Sequence, residues 1–502
     1  MEFVSHPLIK ADTIEKREYQ ENLASKALKG NTLVVMPTAL GKTIVAALVM
    51  AEILKEGKKV LFLAPTKPLV NQHSNSLKTI MKIDDEDIAV MTGEVEYGDR
   101  EDIFKKRIVC ATPQTIEHEV AKGRLDLSEI GLLVVDESHR SVKSYAYVDV
   151  AQKYMAQAKH PLVLALTASP SAENLKEICE TLSIKNIEIR SETDADVLPY
   201  VHKKEYENVF VEFPREFEIV RTDLQSVYDD CFAKLKEMHF IHTNIFRKSD
   251  LVKLQNDVIR KKIFAAIPYT TTMLKIGYAI EILETQGIFA LYNYFEKMKS
   301  ESTRTNKQIM KDERIQSAFE NTKKLYAAGK GHPKLDKLKE IIKMEFEKNP
   351  EAKAIVFSHY RESAQVITNV LQEYKAVRFV GQAKTGHDIG MNQARQAKIL
   401  QDFRDGKYRI LVATSVGEEG LDIPSVDMVI FYEPVASEIR KIQREGRTGR
   451  KRAGKVFVLI TRKTKDETYY WMGHYKEKKM KRVLDDMKEE LKAGAGQTKL
   501  EL

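Results

Sequence analysis

The chain has 502 residues, of which 43% are hydrophobic and 31% are charged, and its formal net charge is +8 at pH 7. This length predicts about three domains, and the composition argues against a mainly disordered chain. The three cysteines lie far apart and form no CxxC pair or Cys/His cluster, which argues against a disulfide framework or a zinc site and predicts a reducing, cytoplasmic location. The longest apolar run, about residues 44–54, is too short to cross a bilayer, so membrane insertion is not expected.

Short runs of Val, Ile and Leu alternate with longer mixed segments from about residue 30 to 195. These runs lack polar alternation, which is typical of strands buried on both faces of a parallel sheet. They are Thr32–Met36, Val60–Ala64, Ile108–Ala111, Leu132–Val135 and Leu162–Leu166. The same pattern returns after residue 350, at Ala354–Phe357, Val377–Val380, Ile410–Ala413, Met428–Tyr432 and Val456–Ile460. The sequence therefore predicts two α/β units of similar size.

The segment between the two units has helical spacing of its apolar residues, as in Ile276, Ile280 and Leu283. It is predicted to be a helical insertion that serves either as a spacer or as a nucleic-acid clamp, and composition favours neither. The tail is charged and helical, which favours a solvated helix. The predicted domains are residues 1–204, 205–330 and 331–465, followed by the tail at 466–502.

A phosphate-binding loop is predicted between the first strand and the apolar helix that follows it. Gly41 allows the backbone to approach the phosphates closely, Lys42 is expected to reach the β- and γ-phosphates, and Thr43 is expected to hold Mg²⁺. The whole loop is a candidate nucleotide site and reads Pro37-Thr38-Ala39-Leu40-Gly41-Lys42-Thr43.

A pair of acidic residues follows another buried strand of the same predicted sheet. Asp136 can hold Mg²⁺, and Glu137 beside it can orient and deprotonate the attacking water. Together with the phosphate-binding loop, this pair predicts ATP hydrolysis.

These residues resemble a known superfamily. Asp136-Glu137-Ser138-His139 resembles the DEAH/DExH box of superfamily 2 helicases. The segment Arg17-Glu18-Tyr19-Gln20 is similar to the upstream motif that reads adenine, which implies nucleotide contacts for Arg17 and Gln20. Thr167-Ala168-Ser169-Pro170 is similar to motif III, which couples the ATP site to domain closure. Blocks that resemble motifs Ia, Ib and Ic imply contacts with the nucleic-acid backbone from Pro65, Thr66, Lys67, Thr92, Gly93, Thr112 and Pro113.

The second α/β unit carries segments that resemble motifs IV, V and VI of the superfamily. In motif VI the resemblance implies that Gln443 faces the γ-phosphate and the attacking water, while Arg447 and Arg450 clamp the phosphates across a cleft. In motif V it implies that Thr414 contacts nucleic-acid phosphate and that Gly420 and Asp422 lie near ATP. ATP is therefore expected to close the cleft between the two units, so that each cycle of hydrolysis moves one unit along a strand.

Three features narrow the resemblance to the archaeal Hef helicases, which are relatives of FANCM-type translocases. They are the insertion between motifs III and IV, the block Ala279–Gly287 inside it, and the sequence Ala-Thr-Ser-Val-Gly-Glu-Glu-Gly-Leu-Asp of motif V. The resemblance covers about residues 10–475. It implies two RecA-like parallel-sheet α/β domains with an inserted, thumb-like helical domain. It also implies ATP and Mg²⁺ as cofactors and branched DNA, such as stalled forks or Holliday junctions, as the substrate in repair.

Two positions depart from the family pattern, namely Ala39, where the loop usually has Gly, and Ser138, where the box usually has Ala. Many Hef proteins carry a C-terminal nuclease, but none is expected here, so either a separate nuclease subunit is a candidate partner or the chain is a fragment. Gln497-Thr498-Lys499-Leu500 faintly resembles a sliding-clamp-binding peptide but lacks its aromatic pair, so a disordered end is favoured over a clamp as partner. One alternative function is an RNA-directed DExH ATPase related to Dicer and the RNA-sensor helicases. Another is a DNA-binding module with a disabled ATPase, which only Ala39 supports.

Overall fold

The computed structural model describes residues 2–37, 40–168, 170, 173–201, 204–243, 247–301, 303–382, 389–414, 423–435, 437, 444, 448 and 454–497. None of the helices within these ranges is long and apolar enough to span a membrane.

The first unit is built on a parallel sheet of seven described strands. They are β1 (Thr32–Val35), β2 (Lys59–Leu63), β3 (Ile88–Met91), β4 (Ile108–Ala111), β5 (Ile130–Val135), β6 (Val163–Thr167) and β7 (Asn186–Ile189), in the order β3-β4-β2-β5-β6-β1-β7. The five strands predicted for this unit are confirmed. The sequence analysis missed β3 and β7, which are the two edge strands and are only half buried: β3 is a short apolar run that was overlooked, whereas β7 is interrupted by Glu188.

Helices cover both faces of this sheet. They are α1 (Glu18–Ala27), α2 (Lys42–Lys55), α3 (Lys67–Ile80), α4 (Arg100–Phe104), α5 (Pro113–Ala121), α6 (Ala146–Gln157) and α7 (Leu175–Thr181). The first three pack on the face that presents Val34, Phe62 and Val134, whereas α5, α6 and α7 pack on the opposite face. Almost all of α2 is buried, which explains why its sequence is apolar around most of its circumference.

The insertion is a bundle of helices with its own hydrophobic core. The helices are α8 (Arg215–Glu237), α9 (Lys248–Arg260), α10 (Ile267–Thr285), α11 (Ile288–Ser300), α12 (Arg304–Ile309) and α13 (Glu313–Ala327). The core includes Leu224 of α8, Ile276 and Leu283 of α10, and Phe295 of α11. The predicted helical insertion is therefore confirmed.

The second unit contains a parallel sheet of six described strands. They are β8 (Lys204–Val211), β9 (Ala354–Phe357), β10 (Ala376–Phe379), β11 (Ile410–Ala413), β12 (Met428–Phe431) and β13 (Gly454–Thr461), in the order β10-β11-β9-β12-β13-β8. The helices α14 (Pro333–Lys348), α15 (Arg361–Val370) and α16 (Gln393–Arg404) accompany it.

One boundary of the sequence analysis needs correction, because residues 205–211 had been assigned to the helical insertion. They lie in β8, which pairs in parallel with β13 at the edge of the second sheet. Within β8 only Val209 is buried, so the segment lacks the apolar run that marks the central strands. The chain thus forms the edge strand of the second sheet before it enters the insertion, and it forms the other five described strands after it.

The last described helix, α17 (Lys465–Gln497), connects the two units. It starts beside the second sheet, where Asp466 accepts a hydrogen bond from Lys334 at 2.8 Å in a fully buried ion pair. Further along, Met480 and Leu484 enter the hydrophobic core of the first unit. The expectation of a solvated helix is therefore wrong for one of its faces. Met480, Val483, Leu484 and Met487 recur on that face at helical spacing, a pattern that the sequence analysis overlooked among the charged residues.

A buried carboxyl group lies next to this ion pair. Glu433, which follows β12, accepts hydrogen bonds from the Ser358 hydroxyl at 3.1 Å and from the backbone N–H of His359 at 3.0 Å. Burial raises the pKa of Glu433 to about 7, against the opposing positive charge of Lys334. The junction between the second sheet and α17 therefore contains a carboxyl group that titrates near neutral pH.

Candidate nucleotide site and nucleic-acid interface

The phosphate-binding loop leads from β1 into α2, and Gly41 is its critical residue. Its φ angle is +83°, a left-handed conformation that disfavours any residue with a side chain. A Cβ atom at this position would also lie 2.6 Å from Nε2 of Gln20. Gly41 is therefore required both by the turn and by the close approach of α1. Thr38 and Ala39 lie outside the described residues.

Lys42 is buried at the start of α2. Its ammonium group donates a hydrogen bond to the carbonyl oxygen of Met36 at 3.4 Å, which holds the side chain over the loop. The first N–H groups of a helix have no partner within the helix, so the start of α2 is suited to an anion. The loop therefore combines a fixed cation with a helix N-terminus, which is the chemistry that binds a polyphosphate.

The acidic pair lies at the end of β5, at the same edge of the sheet as the loop. The backbone N–H of Asp136 donates to the carbonyl of Leu63 at 2.9 Å, and the Tyr147 hydroxyl donates to the carbonyl of Asp136 at 2.7 Å. These two bonds fix the backbone of Asp136, which leaves its buried side chain directed into the site. Glu137 adopts φ +49°, which is an uncommon and strained conformation for a residue other than glycine.

The side chain of Glu137 is also buried, and it lies close to His139. Nδ1 of His139 is 3.3 Å from Oε2 of Glu137 and 3.3 Å from the hydroxyl of Thr167 at the end of β6. The box is therefore in contact with the segment that resembles motif III. Ser169 of that segment lies outside the described residues.

His73 on α3 joins the two candidate magnesium ligands, and the sequence analysis did not identify it. Its Nε2 is 2.8 Å from Oδ2 of Asp136, and its Nδ1 is 3.5 Å from the hydroxyl of Thr43. The buried ring packs against Phe62, with the ring centroids 4.6 Å apart. Thr43 and Asp136, about 93 residues apart in sequence, are thus brought to the two sides of one imidazole.

The electrostatics of Asp136 favour its ionised form. Burial alone would raise its pKa, but the neighbouring His73 and the positive charge of Lys42 together hold the pKa below its ordinary value. An ionised carboxylate and a hydroxyl on one side of a lysine ammonium form a hard oxygen-rich site that suits Mg²⁺. The residues present therefore fit a Mg²⁺–nucleotide complex.

The two residues of the predicted adenine motif differ in their surroundings. Gln20 is buried and donates from Nε2 to the carbonyl of Leu40 at 3.0 Å, so it lies against the phosphate-binding loop. Arg17 instead pairs with Glu15, with Nη2 2.9 Å from Oε2, and its guanidinium lies 5.2 Å from the ring of Tyr200. The structure therefore brings Gln20 to the loop, whereas the contacts of Arg17 are with Glu15 and Tyr200.

The predicted nucleic-acid contacts of the first unit all follow the carboxyl ends of β2, β3 and β4. Thr66 and Thr112 are the N-cap residues of α3 and α5. Lys67 forms an ion pair with Glu94. Since the carboxyl ends of parallel strands share one edge of a sheet, this set lies along the edge that also carries Asp136. The set comprises Pro65, Thr66, Lys67, Thr92, Gly93, Thr112 and Pro113.

The predicted contribution of the second unit is described only in part. Thr414 is buried directly after β11, where its N–H donates to the carbonyl of Phe379 at 3.2 Å. Arg444, within the segment that resembles motif VI, is fully buried, with its guanidinium 4.9 Å from the ring centroid of Phe357. The predicted residues Gly420, Asp422, Gln443, Arg447 and Arg450 lie outside the described residues.

Comparisons with known proteins agree with this arrangement. Family models match residues 17–178 as a DEAD/DEAH box helicase, residues 333–452 as a helicase conserved C-terminal domain, and residues 216–328 as the helical bundle of a protein provisionally described as an ATP-dependent RNA helicase. The crystal structure of the Pyrococcus furiosus Hef helicase domain is 42% identical, with a TM-score of 0.73 over 92% of this chain and 99% of that one.

Two curated relatives are longer than this chain. A Methanocaldococcus jannaschii protein, provisionally named an ATP-dependent RNA helicase, is 40% identical over 97% of this chain and 63% of its own length. The ATP-dependent DNA helicase mph1 of Neurospora crassa is 34% identical over 90% of this chain and 41% of its own length. The chain thus spans less than two thirds of either curated relative.

Proposed function

Because this chain belongs to the Hef group of DEAD/DEAH-box helicases, we propose that it is an ATP-driven DNA translocase that acts on branched DNA in repair. The observation that carries the proposal is the convergence of Thr43, His73 and Asp136 beside Lys42 at the carboxyl edge of the first sheet. This convergence supplies the first unit's share of a site for a nucleoside triphosphate and its metal.

The chain's own residues divide the work of hydrolysis. Lys42 binds the β- and γ-phosphates, and Thr43 and Asp136 hold Mg²⁺, which, when bound, offsets the charge of the phosphate oxygens. Glu137 orients the attacking water and accepts its proton, and its burial next to His139 keeps the carboxylate away from bulk solvent. Closure of the site excludes further water, which strengthens each of these contacts.

The second unit is proposed to complete the site and to convert hydrolysis into movement. Gln443, Arg447 and Arg450 would face the triphosphate from across the cleft, as the resemblance to motif VI implies, and their neighbour Arg444 is buried beside Phe357 of the second sheet. An arginine supplied from a second domain stabilises the charge of the transition state. Loss of that contact after hydrolysis would reopen the cleft and let one unit advance along the strand.

The insertion is proposed to hold the duplex arms of the branched substrate. Its α10 meets the second unit at its C-terminal end, where Lys465 Nζ lies 3.3 Å from Oε2 of Glu281. The other end of α10, about 27 Å away, follows the exposed residues Arg260, Lys261 and Lys262. A basic tip at this distance from the ATP-binding units can contact phosphates that the two sheets cannot reach.

The proposal is tested by ATP turnover with different nucleic acids at one salt concentration. Forked and four-way DNA should stimulate turnover more than single-stranded DNA or duplex RNA. Lys42→Ala should abolish turnover by weakening nucleotide binding, whereas Glu137→Gln should abolish turnover and retain binding. Stimulation by duplex RNA alone would assign the chain to the RNA-directed class, which the names of the M. jannaschii relative and of the helical-bundle family would then suit.

The location is proposed from the cysteines of the chain, and the partners are proposed from sequence resemblances. A cytoplasmic location is supported by Cys110, Cys179 and Cys231, which are buried and free. A separate nuclease subunit is proposed as a partner on the resemblance to Hef, and a sliding clamp on the segment Gln497–Leu500, of which residues 498–500 lie outside the described residues. Co-purification of either protein with the native chain would test this, and a chain that purifies and repairs forks without them would contradict it.

A further inference from the structure

Helix α17 has an inner face that is fixed to both units. At Gly473 the helix lies so close to the second unit that a Cβ atom would be 2.6 Å from the carbonyl oxygen of Val435. Two turns later, Met480 and Leu484 are buried in the core of the first unit. With 3.6 residues in each turn, positions 471, 475, 478 and 482 then form one stripe on the opposite, outward side.

This outer stripe combines exposed rings with cations. Trp471 is 60% exposed and Tyr475 is 71% exposed, although large aromatic side chains are usually buried. Lys478 and Arg482 continue the stripe, and both are exposed. Within the described part of the chain, neither cation forms an ion pair, whereas Lys481 beside them pairs with Glu477 at 3.5 Å. Trp471 packs edge-on against Tyr470 of the same helix, with the ring centroids 5.2 Å apart, yet most of its surface stays exposed. Packing and local charge pairing therefore account for only part of this surface.

We propose that the outer stripe of α17, formed by Trp471, Tyr475, Lys478 and Arg482, binds single-stranded DNA. The inference rests on the proposed action on DNA and adds a binding site to it. The two rings lie one helical turn apart, about 6 Å, so each can stack on a different base. The two cations follow at the positions where they can contact the phosphates of the same strand. Stacking on rings flanked by cations is how proteins bind single strands without sequence preference.

Charge sets the limits of this stripe and favours a polyanion over a protein partner. Asp485, Asp486 and Glu489 follow Arg482 on the helix and would repel phosphate, so the stripe ends there. From Trp471 to Arg482 the site is about 17 Å long, which is enough for a few nucleotides. An apolar partner would bury the rings but would leave the adjacent cations facing a surface without matching charge.

The stripe is separate from the motif residues of the two sheets. Helix α17 begins after residue 452, where the match to the C-terminal helicase family ends. The motif residues lie at the carboxyl edges of the strands, whereas the stripe lies on the outside of a helix attached to both units. A strand on this helix is held outside the cleft, as the displaced strand of a fork would be.

The single tryptophan of the chain makes the proposal directly measurable. Trp471 is the only tryptophan among the 502 residues, so its emission reports on the stripe alone. Titration of the full chain with a dT oligonucleotide of about 12 nucleotides, without ATP, should quench this emission in a saturable way that added NaCl reverses. An unchanged emission at saturating oligonucleotide would overturn the proposal.

Variants separate stacking from general charge attraction. Trp471→Ala and Tyr475→Ala should each weaken binding of a labelled oligonucleotide by about fivefold or more, whereas Trp471→Phe should retain most of it. Arg482→Ala should weaken binding more than Lys481→Ala, which removes the same charge from the same helix outside the stripe. Equal affinity of all these variants, with native circular dichroism, would overturn the proposal.

Three further outcomes separate a failure of the stripe proposal from a failure of the proposed function. If forked DNA stimulates ATP turnover of the wild-type chain but Trp471 is not quenched, the stripe proposal fails and the proposed function stands. If DNA neither binds nor stimulates turnover, the proposed function fails as well. If sedimentation shows a dimer that Trp471→Ala dissociates, the stripe is an interface between two copies of the chain, and the DNA proposal is overturned.

Discussion

Replacement of His73 by alanine tests the geometry of the metal site most directly. The carboxylate of Asp136 is ionised, so it accepts a hydrogen bond and Nε2 of His73 must carry the proton. Nδ1 of the same ring lies 3.5 Å from the hydroxyl of Thr43. The imidazole thus contacts both candidate metal ligands. One ring therefore orients both oxygen ligands.

The magnitude follows from the loss of this orientation. A hydrogen bond to a charged group contributes about 1.5–3 kcal/mol, and removal of a residue that orients a metal ligand typically lowers metal affinity about 10- to 100-fold. His73 is buried against Phe62, so water cannot simply replace the ring in the same position. We therefore expect His73→Ala to raise the Mg²⁺ concentration for half-saturation by at least about tenfold.

The assay measures Mg²⁺ binding rather than turnover. A fluorescent ATP analogue is bound to the protein, and its affinity is recorded as Mg²⁺ is added. Nucleotide affinity in EDTA should be unchanged, because His73 contacts no predicted phosphate ligand except Thr43. His73→Gln serves as the control, since its amide can still donate to Asp136 and should recover part of the loss. If the Mg²⁺ concentration for half-saturation is unchanged or lower in His73→Ala, the orienting role is refuted.

Three further predictions concern buried polar groups away from the nucleotide. Glu433 has a folded-state pKa of about 7 against an ordinary value of 4.5. Its contribution to stability is therefore full below pH 4.5 and is lost as the pH rises towards 7. In thermal melts, Glu433→Gln should stabilise the protein by about 3 kcal/mol at about pH 8 and should not stabilise it at acidic pH. Lys334→Met should destabilise the folded protein by about 3–5 kcal/mol, because it leaves Asp466 charged and buried. Adding Asp466→Leu should recover most of this loss in denaturant titrations. Additive losses from the two substitutions would contradict the pairing. Ser138 has a buried hydroxyl that forms no hydrogen bond with the described residues, so Ser138→Ala should raise the melting temperature or leave it unchanged, and a marked fall would show that the hydroxyl has a partner.

The fold was predictable where burial was complete. Each central strand of both sheets is an uninterrupted apolar run, and all ten predicted runs are strands in the structure. The three missed strands, β3, β7 and β8, lie at sheet edges, where one face or one side is exposed and polar residues are tolerated. Two of them, β7 and β8, carry too many polar residues to be separated from a loop without knowledge of the neighbouring strand, whereas β3 is apolar and the edge strand β10 was predicted from a similar run.

The candidate site was predictable where spacing along the chain defines its chemistry. Lys42 and Thr43 follow a strand directly, and Asp136 ends another, so their convergence follows from the rule that parallel strands present their carboxyl ends together. His73 lies in the second turn of α3, where a single histidine is usually a core residue, and only its position after β2, the neighbour of β5, could have marked it. The roles of Gln443, Arg447 and Arg450 stay predictions.

The block Ala279–Gly287, one of the features that carry the resemblance to Hef, forms the junction between the insertion and the second unit. The Tyr360 hydroxyl donates to Oε1 of Glu281 at 3.1 Å, and the backbone N–H of Lys465 donates to Oε2 of Glu284 at 3.0 Å. Gly287, at φ +86°, approaches His332 so closely that a Cβ would lie 2.9 Å from the Cβ of that histidine.

Movement of the insertion away from the second sheet would break the contacts that Glu281 and Glu284 form with Tyr360 and Lys465, so we expect the insertion to move together with the second unit. Closure of the proposed cleft at the nucleotide would then change the position of the basic tip relative to the first unit. A duplex held at that tip would be displaced by the same step that completes the ATP site.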